Sequence, residues 1–306
     1  MSCLSQFIRS VYPSFNATWH QCLLPLQRPD FPVAVCWSAK GGCTTVLKWF
    51  LAHNGLLDEA VAYSSWAHDY RQNKLERAAG YRRQCKKLFT HGRSGTSIIK
   101  VIRDPATRAV SSFLHVLRAS HDVDRWPVAA LLAQWKSTAG LERQQGLSFR
   151  QFLQFVIEQQ LNSATLDPHV RPQYDSNQDP CVDAFLRLEN LSVELEAVED
   201  RYGLPHVNLR DLSQSAHHNP PSADHAWPGN VADFAADYHT LNELGTPPPQ
   251  AFLDADTLMQ IRSAYWTDYG AYGRHYDAEP ATTIRMPTAG RENIAQNVDH
   301  RLRRAA

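Results

Sequence analysis

The 306-residue sequence predicts an α/β fold in which helices flank a central parallel sheet, on three observations. Val33 to Trp37 is an uncharged apolar run that breaks into the turn Ser38-Ala39-Lys40-Gly41-Gly42-Cys43 and restarts at helical spacing with Val46, Leu47, Phe50 and Leu51. Ser97 to Ile102 is a second apolar run that ends in Arg103-Asp104-Pro105 ahead of another helical pattern. Hydrophobic residues make up 43% of the chain, enough for a sizeable core, and α/β chains of this length often close around one sheet.

The first unit carries the chemistry. Val33, Ala34, Val35, Cys36 and Trp37 run without a charge, as a strand buried on both faces does. Gly41 and Gly42 permit backbone angles that side chains forbid, so successive amide N–H groups can converge on an anion. Thr44 and Thr45 open the following helix, whose positive dipole end falls at the same place, and Lys40 adds a full charge. An ordinary glycine turn with an incidental lysine satisfies the same pattern. An ATP-binding loop fits less well, because its lysine follows the second glycine and directly precedes a magnesium-binding Ser or Thr. Here Lys40 precedes both glycines.

In the second unit Pro105 suits the first turn of a helix, where its missing N–H is no loss. Arg103 leaves the carboxyl end of the strand, the edge where ligands collect in an open parallel sheet. Arg108, Ser111 and Ser112 lie on the first turns of the helix, and the eight-residue spacing lets Arg103 and Ser111 meet one phosphate from two sides. The bland reading is a helix capped by Asp104 with Arg108 on the surface.

Around these units, residues 1 to 30 read as a proline-punctuated lead-in. The basic stretch from Asp69 to Lys87 suits a solvated helix face or a short-range attraction for an acidic acceptor. Leu88-Phe89-Thr90-His91 reads as a short strand ending in histidine. Helical patterning returns over 127–139 and 149–161, with Phe152, Phe155 and Val156 on one face, and over Leu191 to Val198 before a stop near Gly203. The segment 213–229 reads as a long loop; its His217, His218 and His225 lack a carboxylate or cysteine pattern for a closed zinc site. Asp122-Val-Asp124 is as well explained by chance as by metal binding. Residues 281–306 read as a surface tail.

The two units together resemble the signature of the sulfotransferase superfamily: a lysine-bearing glycine loop after the first strand, then Arg-(Asp/Asn)-Pro-x-x-Arg-x-x-Ser. His169-Val-Arg171-Pro172-Gln173, Arg187-Leu-Glu189-Asn190-Leu191 and Tyr265-Trp-Thr-Asp268-Tyr269-Gly-Ala-Tyr272-Gly273 resemble segments of its carbohydrate (family 2 type) branch and bacterial relatives. The resemblance implies a single P-loop-kinase-like α/β domain, placed at 31–280, that uses 3′-phosphoadenosine 5′-phosphosulfate (PAPS) as donor. It further implies that Lys40, Gly41, Gly42, Cys43, Thr44 and Thr45 grip the 5′-phosphosulfate, and that Arg103 and Ser111 grip the 3′-phosphate. A hydroxyl acceptor, of a glycan or glycolipid, then needs a base. His91 is the first choice, as a strand-end Thr-His beside the cradle, and His169 is its rival. No metal is expected, because a sulfuryl group carries less charge than a phosphoryl dianion.

A formal net charge of zero argues against a dedicated nucleic-acid binder. Six cysteines, at 3, 22, 36, 43, 85 and 181, show no Cys-x-x-Cys and read as reduced thiols. No run approaches the ~20 apolar residues of a membrane helix, and no basic-then-apolar leader opens the chain. The expectation is a cytoplasmic enzyme without a transmembrane segment. Two competitors remain: a P-loop kinase using ATP and magnesium, and a non-catalytic module that binds adenosine bisphosphate.

Overall fold

A computed structural model describes residues 23–90, 96–120, 127–141, 146–159, 166–213, 227 and 230–277. Strands β1 (Val33–Cys36), β2 (Ser97–Ile102) and β3 (Ala184–Arg187) form a parallel sheet in the order β1-β2-β3. Val33 lies opposite Ser97, and Ile102 lies opposite Arg187, so the three carboxyl ends share one rim. All four β1 residues are buried, as the absence of charge predicts. Leu26 adds a short antiparallel bridge to Val35, which seats the chain before β1 against the sheet.

Helices α1 (Cys43–His53), α2 (Leu57–Tyr63) and α3 (Ala67–Tyr70) follow β1, then a π-helical turn (Arg71–Leu75) and α4 (Tyr81–Thr90). After β2 come α5 (Pro105–Ala119), α6 (Pro127–Thr138) and α7 (Phe149–Gln159). After β3 come α8 (Leu191–Tyr202), α9 (Leu209–Ser213), α10 (Tyr238–Leu244), α11 (Ala255–Ala264) and α12 (Trp266–Asp277). Alternate strand residues face opposite ways. Val33, Val35, Ile99, Val101 and Leu186 therefore pack on α1 and α8, while Ala34, Cys36 and Ile98 meet Leu88 and Phe89 of α4. A second core joins Val110, Phe113 and Val116 of α5 to Phe149, Phe152 and Phe155 of α7 and Ile261 of α11.

Caps follow the sequence signals. The Asp104 carboxylate accepts from the Thr107 amide at 2.8 Å ahead of Pro105, and Gly203 ends α8 at a left-handed φ of 62°.

One expected strand is helical. Leu88 to Thr90 is the last turn of α4, because Tyr81, Cys85 and Leu88 recur at helical spacing and turn one face inward. Tyr81 also donates its hydroxyl to the Pro25 carbonyl at 2.8 Å. The strand that carries Arg187 is accordingly the third among the described residues. His91, Asp122, Asp124, His217, His218, His225 and the segment from 281 lie outside the described residues.

Candidate active site

The turn between β1 and α1 holds two residues in the left-handed region, Lys40 at φ 65° and Gly42 at φ 79°. For a lysine this costs roughly 1–2 kcal/mol, so the surroundings must enforce it. Gly42 has a second constraint: a Cβ there would lie 2.4 Å from Leu188 Cδ1. No side chain caps α1 and no acidic residue stands in its first turn, so the amides at its start have no intrahelical acceptor and face the rim with their dipole uncompensated. Cys43, Thr44 and Thr45 are half-buried on that turn. The backbone shape suits an anion.

Two arginines from the start of α5 hold this turn. Arg103 donates from Nη1 to the Lys40 carbonyl at 3.0 Å and from Nε to Thr107 Oγ1 at 3.3 Å. Arg108 is buried, and donates from Nε to the Ala39 carbonyl at 3.2 Å and from Nη2 to the Arg171 carbonyl at 2.9 Å. Its Nη1 has no hydrogen-bond partner among the described residues. Arg108 is thus a brace between the turn and the segment around His169, where a surface position was the simpler expectation.

Gln173 completes the join. Its side chain accepts from the Arg103 amide at 3.1 Å and donates to the Arg103 carbonyl at 2.7 Å. The Gln173 and Tyr174 amides donate in turn to the fully buried Asp268 carboxylate, at 3.1 and 2.9 Å. Burial pushes that carboxyl up, while Arg108 and the two amides pull it back. The Arg103, His169 and Tyr265 segments therefore meet at one place.

Arg108, Ser111, His115 and Arg118 recur at intervals of three, four and three residues on α5, which makes one polar stripe. Ser111 is half-buried two turns into the helix, whereas the residue that bonds Arg103 is Thr107, one turn in. The His115 ring stacks on His169, centroids 4.0 Å apart and planes at 27°. Asp167 Oδ1 accepts from His169 Nδ1 at 2.7 Å and from the His169 amide at 2.8 Å. With the carboxylate as acceptor, Nδ1 carries the proton and Nε2 keeps its lone pair. The His169 side chain is 29% exposed and Asp167 9%, so an incoming group can reach the imidazole and water hardly reaches its partner.

Burial pushes the Asp167 carboxyl up, but the His169 ring and amide, with His115 beyond, outweigh it and hold it below the usual carboxylate range. Burial beside His169 and Lys40 drives His115 down to about 2, so it stays neutral. His115, Asp167 and His169 offer ligand atoms within 4.8 Å of one another. Near-parallel stacked rings project their lone pairs side by side, however, and a tetrahedral ion needs them to converge. The trio suits proton handling better than metal binding.

Residues 14–225 match the family model described as the sulfotransferase family, more than half of the chain. The chain belongs to the sulfotransferase family, of the family 2 type. No curated protein and no solved structure matches it. The activity of this sulfotransferase family member is accordingly that of a transferase of sulfuryl groups. Among its described residues no helix is long and apolar enough to cross a membrane.

Two further features of this candidate site bear on its electrostatics. Burial, with Arg118, Arg103 and Arg108 nearby, lowers the Lys40 ammonium from 10.5 to about 8, although Cys43 opposes this. His68 was not singled out by the sequence, because its site partner lies 24 residues away: its Nε2 sits 3.3 Å from Thr44 Oγ1. Nothing local marks such a histidine. Arg108, Ser111 and Ser112 were legible, by contrast, as polar residues on the first turns of a helix.

Proposed function

We propose that the protein transfers a sulfuryl group from PAPS to a hydroxyl acceptor, and that residues 31–280 form one P-loop-kinase-like domain around that site. The observation that carries the reading is the bond from Arg103 to the Lys40 carbonyl, which joins the glycine turn to the start of α5 at the carboxyl rim of the sheet. A donor with separate phosphate and phosphosulfate ends needs two such anion-gripping segments side by side. Lys40, the open amides of α1 and the hydroxyls of Thr44 and Thr45 face the reacting end. Arg103 and Ser111 serve the 3′-phosphate.

His169 is the base in this reading. As the acceptor oxygen bonds to sulfur, His169 Nε2 takes the hydroxyl proton and Asp167 stabilises the imidazolium. The electron pair of the breaking sulfur–oxygen bond passes to the phosphate oxygen of adenosine 3′,5′-bisphosphate, where Lys40 and the turn amides meet the growing charge. His91 has lost its main recommendation, since Thr90 ends a helix. The carbohydrate class of the acceptor rests on the resemblance of the segments at 169–173, 187–191 and 265–273 to the carbohydrate branch.

The test is a screen of hydroxyl acceptors with labelled PAPS, read by mass spectrometry, beside a parallel screen with ATP and magnesium. A sulfated product from PAPS alone supports the reading. Phosphoryl transfer from ATP with magnesium overturns it in favour of a kinase. Tight bisphosphate binding without turnover on any acceptor leaves only a binding module.

A further inference from the structure

The chain Arg71, His68, Thr44 runs from the π-helical turn to the first turn of α1. Arg71 Nε donates to His68 Nδ1 at 3.3 Å, and His68 Nε2 lies 3.3 Å from Thr44 Oγ1. A guanidinium nitrogen has no lone pair to offer, so His68 Nδ1 must be the acceptor and the imidazole proton must sit on Nε2. Nε2–H then donates to the Thr44 oxygen. A hydroxyl that receives a bond on its oxygen keeps its own proton for another acceptor.

We propose that His68 is a positioning residue for the sulfotransferase site: fixed in the Nε2–H tautomer by Arg71, it fills a lone pair of Thr44 Oγ1 and aims the Thr44 hydroxyl proton at an anion in the glycine turn. The role toward an anion rests on the donor reading above, and the geometry that fixes His68 comes from its own surroundings. Both His68 and Arg71 are buried, at 5% and 6% exposure. Trp37 and Trp66 wall the imidazole, with ring centroids at 5.7 and 5.3 Å. Arg71 in turn lies over the Trp37 ring at 4.8 Å and is paired with Glu76.

The other titratable group that faces His68 is His169, and burial, with Arg71 and His169 nearby, lowers His68 to about 3. It therefore remains a neutral donor through the physiological range. Arg71 opens a π-helical turn, a wider turn that recurs at functional sites. Arg71 lies three residues after His68, a spacing that brings side chains onto one helical face.

The experiment is a double-mutant cycle on adenosine 3′,5′-bisphosphate affinity, measured by calorimetry for the full chain, Thr44→Val, His68→Phe and the double variant. Each single change weakens binding by about tenfold, the worth of one oriented hydrogen bond to a charged ligand. The double variant should be no weaker than the worse single by more than about threefold, since both remove the same bond. His68→Gln, which keeps a donor at the ε position, should recover most of the affinity, and this separates orientation from folding. Nitrogen-15 shifts should show a protonated Nε2 and a bare Nδ1 on His68 from pH 5 to 8. Strict additivity of the two losses, or a proton on Nδ1, overturns the assignment alone. A wild-type protein that binds no bisphosphate overturns the donor reading and this assignment with it.

Discussion

Arg103 holds the carbonyl of Lys40 with a 3.0 Å bond from Nη1, and Lys40 is the one non-glycine among the described residues with a left-handed φ. The guanidinium therefore does two jobs. It carries positive charge to the carboxyl rim of the sheet and it pins a backbone conformation that costs roughly 1–2 kcal/mol to keep.

Substitution should separate the two. Arg103→Ala should raise the KM for the donor by tenfold or more and also lower kcat, because charge-assisted bonds are worth about 1.5–3 kcal/mol and the turn loosens. Lys40→Ala should depress kcat with a smaller effect on donor binding, since its charge meets the reacting end. Steady-state kinetics over donor concentration reads both. Unchanged constants in both variants would mean that the junction of Lys40 and Arg103 is not the donor site.

Gly42→Ala tests the shape of the turn. A Cβ there meets Leu188 Cδ1 at 2.4 Å and sits on a left-handed backbone. The expected loss of stability is about 2–3 kcal/mol, with donor affinity reduced more than tenfold. Pairing it with Leu188→Ala removes the clash, so the double variant should be more stable than the sum of the singles predicts, by about 1 kcal/mol. Thermal denaturation measures this. A Gly42→Ala protein with wild-type melting and affinity would sink the turn geometry.

The lowered Lys40 ammonium sets a pH dependence. Its folded value of about 8 lies below the ordinary 10.5, so the folded chain binds fewer protons between those values and stability rises with pH across that window. The cost of the buried charge is fully present below about 8. Donor binding runs the other way, because a neutral Lys40 grips an anion poorly. Bisphosphate binding near pH 9 should therefore take up a proton, visible in calorimetry as a heat that varies with the buffer's ionisation enthalpy, and affinity should fall above pH 8 to a plateau no lower than that of Lys40→Ala. Lys40→Arg should abolish both effects. Equal affinity at pH 7 and 9.5 would show that Lys40 does not face the anion.

The strand, turn and helix units were legible because their patterns are local: an uncharged run, glycines, a proline after Asp104. Leu88 to Thr90 misled because three residues are too few to separate a strand from a helix end. The charges of Arg82, Arg83, Lys86 and Lys87 also dilute the inward face of Tyr81 and Cys85. The roles of Arg108, His68 and Asp268 were not legible at all. Arg108 finds its acceptors 69 and 63 residues away, and Asp268 caps amides 94 and 95 residues back. A one-dimensional reading has no access to such closures.

The Asp167 and His169 pair gives the last test. If Nε2 of His169 takes the acceptor proton, His169→Ala should lower kcat by about a hundredfold or more, within the usual range for acid–base catalysis, while bisphosphate affinity stays within about threefold. Asp167→Asn keeps an acceptor for Nδ1–H, hence the tautomer, and removes the charge that stabilises the imidazolium. It should therefore lower kcat by less than His169→Ala and leave donor affinity alone. His91→Ala, made alongside, should keep most of the rate. A His91→Ala protein that loses turnover while His169→Ala retains it would move the base to residue 91 and leave the Asp167 bond as a structural anchor of the loop that Arg108 and Gln173 hold.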